Sequence, residues 1–277
     1  MIEPFLEGDA FLDDVRAART RGGFHIWWLG QSGFLVHQDG RHILLDPYLS
    51  DSLTRKYAGT DKPHVRMTRR VIDPARLDFI DVVTSSHNHT DHLDGETLRP
   101  LIGANPRMAI VVPEANRAFV AERLGVEPGR LVGLDDRLMV EVGGFRITGV
   151  PAAHETVERD AAGRLIYLGY VIHTGSRTLY HSGDTVLYEG MAERLKPFGV
   201  DLALLPINGR SPERRIAGNL DGPEAARLAC DIGARLAIPC HYEMFEFNTA
   251  SPEAFAEEAG RLGQPMRVLR AGERWSG

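Results

Sequence analysis

Three histidines and an aspartate fall within six positions of the chain, as His87, His89, Asp91 and His92. They follow Val82-Val83-Thr84, a β-branched apolar run that reads as a buried strand. A strand built only for stability has no use for so many polar groups at its exit. His87 and His89 are two residues apart, so extended backbone points both to one side. Asp94 and Glu96 mark a helix start just beyond. Imidazole and carboxylate at this density suit a transition metal such as zinc, iron or manganese. The plain alternative is a His-rich surface loop, and ligand types further along the chain weigh against it.

Three more apolar runs end on such a residue. Val150 precedes His154, Leu179 precedes Asp184, and Ile238 precedes His241. A single histidine after a strand is more often hydrogen-bonded or at the surface than a ligand. Four such exits together place polar groups along one rim of a sheet. No Gly-x-Ser-x-Gly nucleophile turn occurs. Gly30-Gln31-Ser32-Gly33 has the wrong spacing and reads as a turn between strands.

The elements that must position these groups follow from periodicity. A lead-in segment, 1–22, contains a helix over 11–19 with Phe11, Leu12 and Val15 on one face. Strands are expected at 24–29, 33–37 and 42–45, as an antiparallel meander. Residues 48–73 form a long polar loop, the length of a lid or binding loop. After the ligand-rich strand end, helices are expected at 94–101, 114–124, 189–195, 222–233 and 252–262. Strands are expected at 109–112, 130–133, 138–142, 145–150, 166–173, 178–181, 202–207 and 236–239. A last strand over 266–269 would close the chain. The rhythm of strands then helices occurs twice, which predicts two sheets packed face to face with helices outside, in one domain spanning 1–277.

Composition narrows the function. The chain has 277 residues and a formal net charge of −6, which leaves no basic footprint for nucleic acid. Two cysteines, Cys230 and Cys240, make no disulfide framework and read as buried thiols. The first residues lack the apolar core of a signal peptide, and no stretch has membrane-spanning length. The expectation is a cytoplasmic protein with no membrane partner.

His87-Asn88-His89-Thr90-Asp91-His92 resembles the His-x-His-x-Asp-His signature of the metallo-β-lactamase fold superfamily. His154, Asp184 and His241 resemble its later metal-binding motifs, in the same order. The segments Trp28-Leu29-Gly30-Gln31-Ser32-Gly33-Phe34, Leu44-Leu45-Asp46-Pro47-Tyr48, Pro206-Ile207-Asn208-Gly209-Arg210 and Ile238-Pro239-Cys240-His241-Tyr242 look like the L-ascorbate-6-phosphate lactonase subgroup. The resemblance implies an α+β fold, a four-layer αββα sandwich of two mainly antiparallel sheets with outer helices. It implies two divalent metal ions, Zn2+ or Mn2+. His87, His89 and His154 would hold one, Asp91, His92 and His241 the other, and Asp184 would bridge them.

Two such ions activate a water at neutral pH and stabilise an oxyanion. Asp91 would also orient that water or pass a proton. Asn208 and Arg210 lie at a strand exit on the same expected rim, where an amide could meet an oxyanion and a guanidinium an anionic group. Asp46 is either a partner behind a ligand or a turn cap. Arg66, Arg69 and Arg70 either reach substrate or are simply solvated. Tyr242, Phe245 and Phe247 belong to a pocket wall or to the core. The leading expectation is a hydrolase of a small anionic carbonyl metabolite, such as a lactone or sugar-phosphate lactone. The alternatives are a phosphodiesterase on the same centre and a non-hydrolytic diiron-type protein. The subgroup includes oligomers, so a homo-oligomer is admitted, although no assembly signal is visible.

Overall fold

The computed structural model describes residues 1–211 and 218–277. Seven strands form the first sheet, in the order β13-β1-β2-β3-β4-β5-β6. These are β1 (Phe24–Gly30), β2 (Gly33–Gln38), β3 (Arg41–Leu45), β4 (Val82–Thr84), β5 (Ala109–Pro113), β6 (Leu131–Leu134) and β13 (Arg274–Ser276). Six form the second, in the order β12-β11-β10-β9-β8-β7. They are β7 (Met139–Val142), β8 (Phe145–Pro151), β9 (Leu168–His173), β10 (Thr178–His181), β11 (Leu202–Pro206) and β12 (Leu236–Cys240). The helices are α1 (Gly8–Arg21), α2 (Ser52–Tyr57), α3 (Gly95–Ala104), α4 (Arg117–Leu124), α5 (Met191–Leu195), α6 (Gly222–Asp231) and α7 (Glu253–Leu262). This is the expected α+β sandwich, with one continuous buried core between the sheets and under the helices.

Strand direction explains where the chemistry collects. Consecutive strands β1, β2 and β3 pair antiparallel, and β3 to β6 pair parallel. So β1, β3 and β4 all run the same way. In the second sheet β10, β11 and β12 pair parallel, while β8, β9 and β10 pair antiparallel in turn. So β8, β10 and β12 also share a direction. Their carboxyl ends therefore gather at one rim of each sheet, the usual side for ligands in parallel strands.

Three expectations are corrected. Residues 266–269 are not a strand; only an isolated bridge, Met266 to Ala237, forms there. The last strand is instead β13, which pairs antiparallel with β1. It is short and only partly apolar, so periodicity does not reveal it. Cys230 is exposed rather than buried, on the outer side of α6, while Cys240 is buried. The segment 48–73 is not all loop, since it contains α2. Among the described residues no helix is long and apolar enough to cross a membrane.

Far from the ligand rim, His37 and His42 pack together on facing positions of β2 and β3, with tilted rings whose centroids are 4.8 Å apart. His42 is 1% exposed and also packs edge-on against Phe79. Burial, with His37 beside it, pushes its pKa down to about 3. The unfolded chain takes up this proton below its ordinary value of 6.5, and the folded chain does not. Stability from this group is therefore intact above that value and lost as pH falls toward the folded one. Wild type should lose about 2 kcal/mol more than His42→Leu between pH 6.5 and 4.5, measured by urea unfolding. Parallel losses in the two proteins would show that His42 titrates in the folded state.

Candidate metal centre

The ligand loop leaves β4 and turns tightly: the backbone N–H groups of His92 and Leu93 donate to the carbonyl of His89, at 3.1 and 2.8 Å. Asp94 then caps α3, accepting from the backbone of Glu96 and Thr97. This satisfies helix donors that would otherwise be orphaned. The Arg123 guanidinium donates to the carbonyls of Asn88 and Leu93, at 2.8 and 3.2 Å. Turn, cap and clamp together leave the loop little freedom.

His154 follows β8, Asp184 follows β10 and His241 follows β12. The rims of the two sheets bring all of these together. His87, His89 and His154 offer ligand atoms within 4.8 Å of one another, and so do Asp91, His92 and His241. Asp184 lies against the second group. One of its oxygens is 3.2 Å from His92 Nε2 and the other 3.5 Å from His241 Nε2. The six other expected ligands thus form two trios, and Asp184 sits against His92 and His241 of the second.

The far nitrogens of the imidazoles are anchored. His92 Nδ1 donates to Asp46 at 2.8 Å, and His154 Nδ1 to the carbonyl of Gly218 at 2.8 Å. His87 Nδ1 lies 3.0 Å from Ser86 Oγ. Such bonds fix tautomer and ring orientation, so that the other nitrogen presents a lone pair. His87 Nε2, His92 Nε2 and Asp184 Oδ1 are buried with no hydrogen-bond partner. Buried polar atoms without partners are rare, and a cluster of acceptors pointing at one space fits divalent cations. The structure therefore settles the role of Asp46. It is fully buried and supports a ligand rather than merely capping a turn.

The electrostatics agree. Burial opposes charge on His92, but the carboxylates of Asp184 and Asp91 outweigh it and hold the pKa well above the ordinary value. His241 is likewise lifted to about 9, burial again being overcome by Asp184 and Asp91. Burial would raise both carboxylates, yet the His92 and His241 imidazoles hold Asp91 and Asp184 low. His87 has burial and neighbouring imidazoles against it and stays neutral. Protons on His92 and His241 thus balance two carboxylates. Cations could take over that balance, since ligation requires neutral imidazole.

Above the centre opens a cavity of about 370 Å³. The ligands His89, Asp91, His154, Asp184 and His241 form one side. Tyr57, His64, Phe245 and Phe247 form an aromatic wall, with Lys56, Lys62 and Arg123 also lining the space. His64 stacks on Tyr57 at 4.1 Å between centroids and meets Phe247 edge-on at 4.4 Å.

Asn208 lines this cavity, its Nδ2 donating to Asn248 Oδ1 at 2.8 Å. Arg210 does not line it. Its guanidinium forms a two-pronged pair with Glu224, at 2.7 and 2.8 Å. Arg66 is held by Asp51, Arg69 by Glu3 and Glu7, and Arg70 by the carbonyl of Leu49. None of the three lines the cavity. Phe245 and Phe247 are pocket residues, whereas Tyr242 is core, stacked on Trp28 at 4.3 Å.

Sequence reading passed over Gln31. Its amide donates to Asp91 Oδ2 at 2.7 Å and lies 3.0 Å from His241 Nε2. The available signal was direction: β1 runs with β3 and β4, so its exit belongs to the same rim. Lys56, Tyr57, His64 and Asn219 were also passed over as site residues, because the short helix α2 and the irregular chain that carry them show no period in the sequence.

The family model for the "Beta-lactamase superfamily domain" matches residues 41–242. The chain belongs to the metallo-β-lactamase superfamily. Within it, the chain is 31% identical over 251 residues to a UPF0173 metal-dependent hydrolase of Opitutus terrae, covering 89% of this chain and 96% of that protein. A possible metal-dependent hydrolase from Veillonella parvula DSM 2008 has the same fold, with a TM-score of 0.73 at 15% identity over 92% of this chain and 100% of that one. So does isothiocyanate hydrolase from Delia radicum gut bacteria, with a TM-score of 0.71 at 19% identity over 91% and 98%.

Asp46→Asn should weaken binding of Zn2+ or Mn2+ about 10- to 100-fold while the protein still folds. Competition against a chromophoric chelator measures this. Unchanged affinity would remove Asp46 from the support of His92.

Proposed function

We propose that the protein is a metal-dependent hydrolase acting on a small anionic carbonyl metabolite, with a lactone as the leading substrate type. The observation that carries this reading is the pair of candidate ligand trios, with Asp184 against the second of them, beside a cavity lined by Lys56, Lys62 and Arg123. The relatives named metal-dependent hydrolases support the first half of it. The lactone rests on the likeness of the segments around Gln31, Asp46, Asn208 and His241 to the ascorbate-6-phosphate lactonase subgroup. Zinc and manganese both suit a His/Asp ligand set without thiolate.

Divalent ions held by the two trios would supply Lewis-acid activation of a water and positive charge for an oxyanion. The chain's own residues do the rest. Gln31 donates to Asp91 Oδ2 and so orients that carboxylate. Asp91 is held anionic by the neighbouring imidazoles, so it can accept a hydrogen bond from an attacking water and orient it. Asn208 offers its amide from the cavity wall. Lys56, Lys62 and Arg123 give the anionic part of the substrate a cationic surround, and the aromatic wall excludes water from it.

His89 is exposed to the cavity, so its loss should spare the core. His89→Ala should abolish turnover by metal-loaded protein with little change in melting temperature; full activity would remove His89 from the ligand set. A panel of lactones and phosphodiesters, run with Zn2+ and with Mn2+, tests the chemistry. Turnover of phosphodiesters alone would replace the lactonase reading with a phosphodiesterase. A visible iron band with no hydrolysis would replace it with the diiron class. Lys56→Met should raise KM for an anionic substrate about tenfold with kcat nearly unchanged. An equal loss in kcat would place Lys56 in the chemical step instead.

A further inference from the structure

Asn219 is 1% exposed and lines the cavity beside the metal ligands. Neither its Nδ2 nor its Oδ1 has a hydrogen-bond partner among the described residues. A buried primary amide with both ends unmet is costly and uncommon. Its position is not slack. The backbone N–H of the next residue, Leu220, donates to Thr185 at 2.8 Å. The Asn219 carbonyl accepts from Arg210 at 3.3 Å. The carbonyl of the preceding residue, Gly218, is the one that orients His154. A Cβ at Gly218 would come within 1.9 Å of the His154 carbonyl oxygen, so only glycine allows this approach. Asn219 is therefore fixed between the segment holding His154 and the segment just past Asp184. Arg210, which does not line the cavity, braces that backbone.

The amide offers one donor and one acceptor side by side. A lone carboxylate or phosphate would match only the donor. A group that matches both has an oxygen acceptor next to an O–H or N–H. We propose that Asn219 is a specificity-determining residue that selects acyl substrates with a hydroxyl beside the scissile carbonyl. Its Nδ2 donates to the acyl oxygen and its Oδ1 accepts from the hydroxyl. This rests on the hydrolase reading. For a lactone, water adds to the acyl carbon and the ring C–O bond breaks. The ring oxygen receives a proton, giving an open-chain hydroxy acid. The donor to the acyl oxygen gains strength as charge builds there. The hydroxyl contact sets the preference between substrates, because a pocket built for a hydrogen bond rejects an analogue without it.

The test uses α-hydroxy-γ-butyrolactone and γ-butyrolactone, which differ by that one hydroxyl. Affinity is read by ligand-observed NMR, and turnover with metal-loaded protein. Wild type should favour the hydroxylactone by at least about 100-fold in kcat/KM, with a matching preference in binding. Asn219→Ala should bring the ratio to near unity, with metal content unchanged. Asn219→Leu fills the same volume and gives the same readout if the alanine variant folds poorly. A purely structural role would lower both substrates alike and keep the ratio, and that result overturns the proposal. Equal binding of the two lactones by wild type, or no binding of either, also overturns it. Selective binding that depends on Asn219 without turnover of either lactone supports Asn219 and counts against the hydrolase reading.

Discussion

One buried carboxylate holds the centre together. Asp46 stands at the end of β3 with a positive φ of 38°, a conformation disfavoured for a residue with a side chain. In return its oxygens accept from Thr84 Oγ1, the Ser86 backbone, Ser86 Oγ and His92 Nδ1. Two strands and the ligand loop are thus tied to a single charged group. A fully buried charge persists only when it is well paired, so the loop cannot drift from β3 without exposing that cost. His92 inherits its orientation from Asp46. Asp184 and Asp91 then sit against His92, at 3.2 and 3.6 Å. The remaining ligands close around that line.

The centre is also a consequence of strand direction. Antiparallel connections return the chain to the same end every second strand, and parallel ones every time. Together they deliver six exits to one rim: Gln31, Asp46, the 87–92 loop, His154, Asp184 and His241. The opposite rim carries hairpins and the His37–His42 pair, with no comparable collection of ligand types among the described residues. The protein separates its functions by end. Stability is concentrated in the apolar middle, and the polar groups that cost stability are gathered where they face the cavity.

This division explains what could be read in advance. The seven candidate ligands stood out in the sequence because each follows an apolar run, and because imidazole and carboxylate are unusual at such exits. The alternating layers were legible because strands and helices impose periods of two and 3.6 residues on apolar side chains. Gln31 was illegible for the opposite reason, since a polar turn residue looks the same whether or not it faces a site. Arg210 illustrates the reverse failure. Its strand exit was placed correctly, but nothing local shows that Glu224 captures the guanidinium. Of the cationic residues that line the cavity, Lys56 lies in α2, a helix too short to show a period, and Lys62 in irregular chain. Asn219 becomes visible only when the hydrogen bonds around it are counted.

The pairing of β13 with β1 reaches beyond the centre. β1 is buried along its whole length, Phe24–Gly30, and leads directly to Gln31. Its outer hydrogen-bonding edge is covered by β13, through Trp27–Arg274, Ile26–Trp275 and His25–Ser276, and by the flanking Gly272, Glu273 and Gly277, which bond to Trp28 and Phe24. Those residues act as a selvedge on the first sheet. Without them, a long apolar strand would offer its unpaired backbone to another molecule, the usual beginning of edge-to-edge association. A chain shortened before Arg274 would therefore keep every ligand and still be prone to self-association, so solution behaviour and chemistry are guarded by opposite ends of the same strand.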